Sequence, residues 1–283
     1  MSETIPITRS SPMPAVVQQA LMSSPGTSAG KRVIPTFTIE LPSRGHFYPE
    51  TSPLSSGIVQ LYEVTAKHED ILSNTALLKK GTVLDDFMRA VIATPGVALD
   101  DVLVGDKNAI LFAARRSAYG DDYTVKVKCP DCDAESKPTM DLGQVVAKQL
   151  SFNTPRGLNQ FEFTLPASGR KISWRMLTHK DEVAIDNELK NLSKISAGAS
   201  SPEITTRLKY SIAEVDGKTD RMYVKSFVDM DLSAKDSLAL RRHIRENSPD
   251  MDMTFAFTCP KCEHSEKMGI PLGANFFWPG VSA

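Results

Sequence analysis

At 283 residues the chain is long enough for one large domain or two ordinary ones with a sizeable core. Its 41% hydrophobic and 24% charged content is ordinary for a globular protein, and 33 basic against 34 acidic side chains leave a formal charge of -1, which excludes a global electrostatic pull toward nucleic acid. No run approaches the roughly 20 apolar residues of a membrane span, and the amino terminus lacks the basic start and apolar core of an export signal, so no membrane anchor and a cytoplasm that keeps thiols reduced are expected.

Residues 1–32 are rich in serine, proline and small residues and are expected to form a flexible arm; Val16, Val17, Ala20 and Leu21 are spaced for a brief helix on a partner. The alternation in VIPTFTIEL predicts a strand over 33–41, and a second is expected over 57–64, with Pro42-Ser43-Arg44-Gly45 as turn chemistry between them. KHEDILSNTALLK predicts one helix over 67–79, opened by Thr65 and His68 and stopped by Gly81. A further helix starts at Thr82, with Val83, Phe87, Ala90 and Val91 on one face. Another, over 100–117, is expected to be broken or staged around Gly105, with Arg115 and Arg116 near a rim.

Residues 33–120 thus read as a strand and helical region, and 121–283 as an α+β region. In the latter, YTVKVKC predicts one strand over 123–129, followed by a loop or short hairpin at 133–138. Residues 161–165 and 171–177 form a hairpin around Pro166-Ala167-Ser168-Gly169. Thr178 caps a charged helix, a serine-rich gap spans 193–201, and 204–217 reads as helix-like up to an Asp216-Gly217-Lys218 turn. Residues 222–227 are expected to be extended, Ser233 opens a clear amphipathic helix over 234–247, and 251–258 is a strand. The fold class is therefore α+β, with mixed helices and short antiparallel strands.

All four cysteines are spent on two C-P-x-C clips, Cys129-Pro130-Asp131-Cys132 and Cys259-Pro260-Lys261-Cys262, each at the end of a predicted strand. The two-residue gap lets both sulfurs of a tight turn face one ion, and two clips make a complete tetrahedral set. Cys129, Cys132, Cys259 and Cys262 are thus the expected ligands of one structural zinc in a zinc-ribbon-like element; an iron-sulfur cluster or two disulfide-like pairs stay open. A redox role for either clip is disfavoured because no helix clearly begins at the first cysteine. Four thiolates leave no open position for a catalytic zinc. His264 reads as a loop histidine or an alternative ligand, and Lys128, Lys261 and Lys267 as charge compensation.

Other residues carry weaker signals. The 42–48 turn lacks a phosphate-cradle pattern, and Arg115-Arg116 and Arg241-Arg242-His243-Arg245 need no ligand as helix-surface cations, although either group is able to grip phosphate. The paired carboxylates at 69–70, 85–86, 100–101 and 121–122 are adjacent in sequence and do not share a helical face. No G-x-S-x-G or H-E-x-x-H pattern occurs, so no catalytic residue is assigned. Phe276, Phe277 and Trp278 either close the core or anchor a neighbouring subunit.

Three passages carry a family resemblance: Leu41-Pro42-Ser43-Arg44-Gly45-His46-Phe47-Tyr48; Glu69-Asp70-Ile71-Leu72-Ser73-Asn74 with Leu77-Leu78-Lys79-Lys80-Gly81; and Asp101-Val102-Leu103-Val104-Gly105-Asp106-Lys107-Asn108. In these the chain resembles the baseplate hub subunit family of contractile-tailed, T-even-like bacteriophages, most strongly over about residues 34–150. The resemblance implies a non-enzymatic virion protein of the tail baseplate, assembled in the host cytoplasm. It would be present in several copies against other baseplate and hub proteins, with no specific nucleic acid and no catalytic residues to carry over. The clips then read as a stabilising staple. The alternative from the residues alone is a zinc-ribbon-like nucleic-acid-binding module, and a metal-dependent hydrolase ranks below it.

Overall fold

Alternating residues in TFTIE and IVQLY make β1 (Thr36–Glu40) and β2 (Ile58–Tyr62) an antiparallel pair, with Phe37 opposite Leu61 and Ile39 opposite Val59. Every second residue of β2 faces inward, so Val59 and Leu61 are fully buried. This computed structural model describes residues 34–195, 201–270 and 274–277. The arm expected over 1–32, residues 196–200 of the serine-rich gap and Trp278 lie outside them. The chain between β1 and β2 folds back so tightly that a Cβ on Gly45 would sit 2.3 Å from the Ser55 carbonyl oxygen. With φ of +70° as well, only glycine fits there.

That tight loop presents Ser43 and Tyr48 to a buried carboxylate. The Ser43 N–H and hydroxyl donate to Asp106 Oδ1 and Oδ2 at 2.9 and 2.6 Å, and the Tyr48 hydroxyl donates to Oδ2 at 2.6 Å. The Tyr48 oxygen in turn accepts the Leu103 N–H at 2.9 Å. Leu103 precedes α4 (Val104–Tyr119), and Asp106 lies in that helix's first turn. One buried polar unit therefore fixes the 42–48 loop onto a helix start, satisfying an amide that would otherwise be orphaned.

The helices follow, with two departures from expectation. The single helix expected over 67–79 is two, α1 (Ala66–Leu72) and α2 (Thr75–Lys80), because the Asn74 side chain accepts the N–H groups of Ala76 and Leu77 and starts a new helix. Thr65 and His68 open α1 as expected, the Thr65 N–H donating to His68 Nδ1 at 3.0 Å. α3 (Val83–Val91) buries Val83, Phe87, Met88 and Val91. The helix expected over 100–117 is staged, but not at Gly105: a 3-10 turn Leu99–Asp101 is separated from α4 by the extended Val102 and Leu103, and Gly105 lies inside the first turn of α4. A Cβ there would meet the Pro249 carbonyl oxygen at 1.9 Å, so glycine serves close approach of the 249–250 segment.

β7 (Phe161–Thr164), β8 (Lys171–Trp174) and β9 (Ile212–Val215) form an antiparallel three-stranded sheet. The expected hairpin is present, its turn held by the buried Asp236, which accepts the N–H groups of Ala167 and Ser168. α5 (His179–Ile195) and α6 (Glu203–Ser211) follow. The helix-like reading of 204–217 holds only for α6, since Ile212–Val215 pairs with β8 and buries Ile212 and Val215. The expected extended stretch at 222–227 is instead α7 (Arg221–Ser226), running into a π-helical segment Phe227–Asp231. The Asp220 carboxylate nucleates it by accepting the Tyr223 N–H at 2.8 Å, which outweighs the strand preference of Tyr223 and Val224. α8 (Ala234–Asn247) is capped by Ser233 as expected.

The strand expected over 123–129 is split. β3 (Asp122–Thr124) pairs with β6 (Thr139–Asp141), and β4 (Val127–Lys128) with β5 (Glu135–Ser136). β10 (Thr254–Thr258) pairs with β11 (Ser265–Gly269), a strand the sequence reading did not anticipate. All these pairings are antiparallel, so the fold is α+β with short antiparallel strands. The main core runs from Leu41 to Phe277 and includes Trp174, Ile110 and Phe87. Phe276 packs against Tyr123 at 5.1 Å and Phe277 against Phe87 at 4.8 Å, so both close the core.

Burial pushes the Asp106 carboxyl above its ordinary range, against the hydrogen bonds from Ser43 and Tyr48. A raised acid keeps its proton in the folded state at a pH where the unfolded chain has released it. The resulting stabilisation is full below the unfolded value, near pH 4, and is lost as pH rises through the folded one. The wild type is therefore expected to lose stability relative to Asp106→Asn as pH is raised from about 4, with a slope of up to about 1.4 kcal/mol per pH unit in urea unfolding. Parallel curves for the two proteins would contradict this.

Candidate metal centre

Each clip is the turn of its own hairpin. Cys129 and Cys132 join β4 to β5, and Cys259 and Cys262 join β10 to β11. The two turns repeat the same backbone bonds: Cys129 N–H to the Ala134 carbonyl and Asp133 N–H to the Cys129 carbonyl, matched by Cys259 N–H to His264 and Glu263 N–H to Cys259. In both, the residue after the second cysteine is left-handed, Asp133 at φ 57° and Glu263 at φ 60°.

Two contacts bring the clips together. The segments preceding β10 and following β6 pair through their backbones, Lys148 N–H to the Asp250 carbonyl at 2.9 Å and Asp252 N–H to Val146 at 2.8 Å. Beneath the sulfurs, Val127, Cys129, Phe257 and Cys259 make a small buried cluster distinct from the main core. The outcome is that all four sulfurs lie within 4.8 Å of one another.

The spacing selects among the chemistries four thiols allow. Cys129 to Cys262 and Cys132 to Cys259 are each 3.7 Å between sulfurs, far longer than the about 2.05 Å of a disulfide. Sulfurs at about 2.3 Å from one tetrahedral ion sit about 3.8 Å apart, which these pairs match. A multi-iron cluster places iron and sulfide between the thiolates and spreads them further. The group is therefore a four-cysteine cluster able to chelate a single metal ion.

The surroundings act oppositely on the two cysteines of the second clip. The backbone amides of Cys262 and Lys261 point at the Cys259 sulfur and hold its thiol down to about 6, Lys261 N–H at 3.4 Å. Cys262 moves the other way, to about 12: the His264 amide lowers it, but Cys132, burial and the other two sulfurs outweigh that. Four sulfurs at this distance resist sharing negative charge, and a cation removes the conflict. Lys128 is paired with Asp133 at 3.1 Å. His264 turns toward Glu266 at 3.7 Å and is not one of the grouped ligands.

The remaining candidates fall elsewhere. Arg115, expected near a rim, is fully buried because its guanidinium donates to the carbonyls of Phe276, Gly120 and Asp122 at 2.9, 3.0 and 3.2 Å. It binds the carboxyl-terminal segment to α4 and is closed to phosphate. Arg116 pairs with Asp121, and His243 stacks on Phe163 with ring centres 4.3 Å apart. Of the acidic pairs, Asp86 and Asp100 both approach Arg89, and Asp85 lies 3.5 Å from the buried His179. The Ser43, Tyr48 and Asp106 unit escaped the sequence reading; the only signal was an acid in the first turn of a helix.

A model of the family described as T4 bacteriophage base plate protein matches residues 34–278. The chain has no match among curated proteins or among solved structures. No helix of the described residues is long and apolar enough to cross a membrane.

The left-handed residues make the clips testable without touching a sulfur. An L residue in this region costs about 1–2 kcal/mol, against roughly 0.5–1 kcal/mol of added unfolded-state freedom for glycine. Glu263→Gly is therefore expected to stabilise the protein by roughly 0.5–1 kcal/mol in urea unfolding. Destabilisation would show that the Glu263 side chain, not its backbone, matters to the clip.

Proposed function

The chain belongs to the T4 bacteriophage base plate protein family, and from that premise we propose that it is a structural subunit of the central hub of the tail baseplate, held in shape by one zinc. The family places it among phage tail structural proteins and not among enzymes. Its work is to present surfaces to neighbouring tail proteins.

The observation that carries the staple is the convergence of two sequence-distant clips on one four-sulfur cluster. Cys129, Cys132, Cys259 and Cys262 would hold the ion, and two hairpin turns sharing one site make the element zinc-ribbon-like. Four soft sulfur donors at this spacing suit zinc, which takes four thiolates in closed structural sites. The ion supplies cross-linking and charge neutralisation. Its four protein ligands leave no position for a reacting water, so the staple does no chemistry. The nucleic-acid reading loses one of its two basic groups, with Arg115 buried and Arg116 ion-paired.

Cryo-electron microscopy of the assembled host tail tests the assignment. The chain is expected beside the central axis of the baseplate, in contact with other tail proteins, with one strong density peak among the four sulfurs. Absence of the chain from both tails and assembly intermediates would overturn the hub assignment.

A further inference from the structure

A groove of about 420 Å³ opens between α6 and α8, with the first turn of α4 and the chain after β8 along its floor. Val104, Met176, Leu208 and Ile244 supply apolar surface, and Ile204 stands at the lip with 48% of its surface exposed. A volume in the range of about 300–1,000 Å³ is that of a binding cleft. An isoleucine left this exposed beside other aliphatic groups is a surface awaiting cover.

The charge around the groove says what covers it. Five basic side chains line it against two acidic ones, Glu203 and Asp250. Both acids are engaged: Glu203 with Arg207 at 3.1 Å, and Asp250 by accepting the Asn108 side-chain amide and the Met251 N–H. Arg175 is held by Asp181 through two bonds of 2.7 Å. Lys148, Arg241 and Arg245 have no ion-pair partner among the described residues, and Arg241 Nε is buried without a hydrogen-bond acceptor. A buried guanidinium N–H without an acceptor costs free energy that an incoming carboxylate recovers.

We propose that this groove is the docking site for an acidic segment of a partner protein that inserts a bulky aliphatic or aromatic side chain beside Ile204 and sets carboxylates against Lys148, Arg241 and Arg245. A nucleic acid fits the cations but not the floor, which has no aromatic side chain on which a base stacks. A neutral apolar peptide fits the floor and leaves the three cations unanswered. Only a segment with both chemistries satisfies the whole surface. The proposal rests on the assembly role for taking the partner to be a tail protein, and it is independent of the metal.

The test is photo-crosslinking within assembled tails, using the full chain with Ile204→benzoylphenylalanine and mapping the linked peptide by mass spectrometry. The expected adduct is a segment of another tail protein with acidic residues flanking an apolar one. Adding Arg241→Gln and Arg245→Gln is expected to lower its yield at least about fivefold per incorporated chain, with an unchanged thermal unfolding profile. An adduct within this chain, to a second copy, to nucleic acid or to a segment without acidic residues would overturn the proposal, as would an undiminished yield in the arginine variant. Incorporation into tails with no adduct sinks this inference alone. Absence from tails sinks the assembly reading and this one with it.

Discussion

The constraint on which the arrangement depends is that the chain returns to one point after 126 residues, the stretch 133–258 between the clips. Four sulfurs within 4.8 Å mark that point. Between the clips lie the three-stranded sheet, helices α5 to α8 and every basic side chain of the groove, so fixing the two ends fixes the span that carries them. Two-stranded hairpins are marginal by themselves, and the cluster beneath the sulfurs has only four buried residues. A cross-link closing a loop of this length removes on the order of 5 kcal/mol of conformational entropy from the unfolded chain. That is comparable to a whole domain's marginal stability.

Two buried polar centres do for the main core what the sulfurs do for the hairpins. Asp106 gathers Ser43 and Tyr48, which are 63 and 58 residues away, and Arg115 gathers carbonyls at 120, 122 and 276. Both lie on α4, one near each end, so this helix is the spine to which the amino-terminal loop and the carboxyl-terminal segment are tied. A satisfied buried polar or charged group contributes little net energy against an apolar isostere, but losing a partner is costly. Such centres specify where distant segments meet. Arg115 also explains why Phe276 and Phe277 face inward and do not reach for a neighbour.

Much of this was legible where local chemistry and periodicity agree. Ser233 and α8, the β7–β8 hairpin and the cysteine clips all came directly from spacing and cap residues. The misses share one cause, which is that short-range signals were outweighed by a side chain acting at a distance of a few residues or by a partner far along the chain. Asn74 cut a helix that periodicity joined, and Asp220 made a helix of residues with strand preference. Ile212–Val215 became a strand because β8 offered an edge. Arg115 reads as a surface cation until Phe276 is known to lie beside it. Two of the three passages that carry the resemblance, 41–48 and 101–108, are the two sides of the Asp106 unit, which gives those motifs a physical reason.

The proposed staple is one zinc, bound by four thiolates, that closes the chain on itself. Zinc-edge X-ray absorption of the purified full-length protein measures that directly. The staple requires one zinc per chain with four sulfur scatterers at about 2.3 Å and no light-atom ligand. Nitrogen or oxygen in the first shell, a metal–metal distance, or a chain that holds no zinc would contradict it.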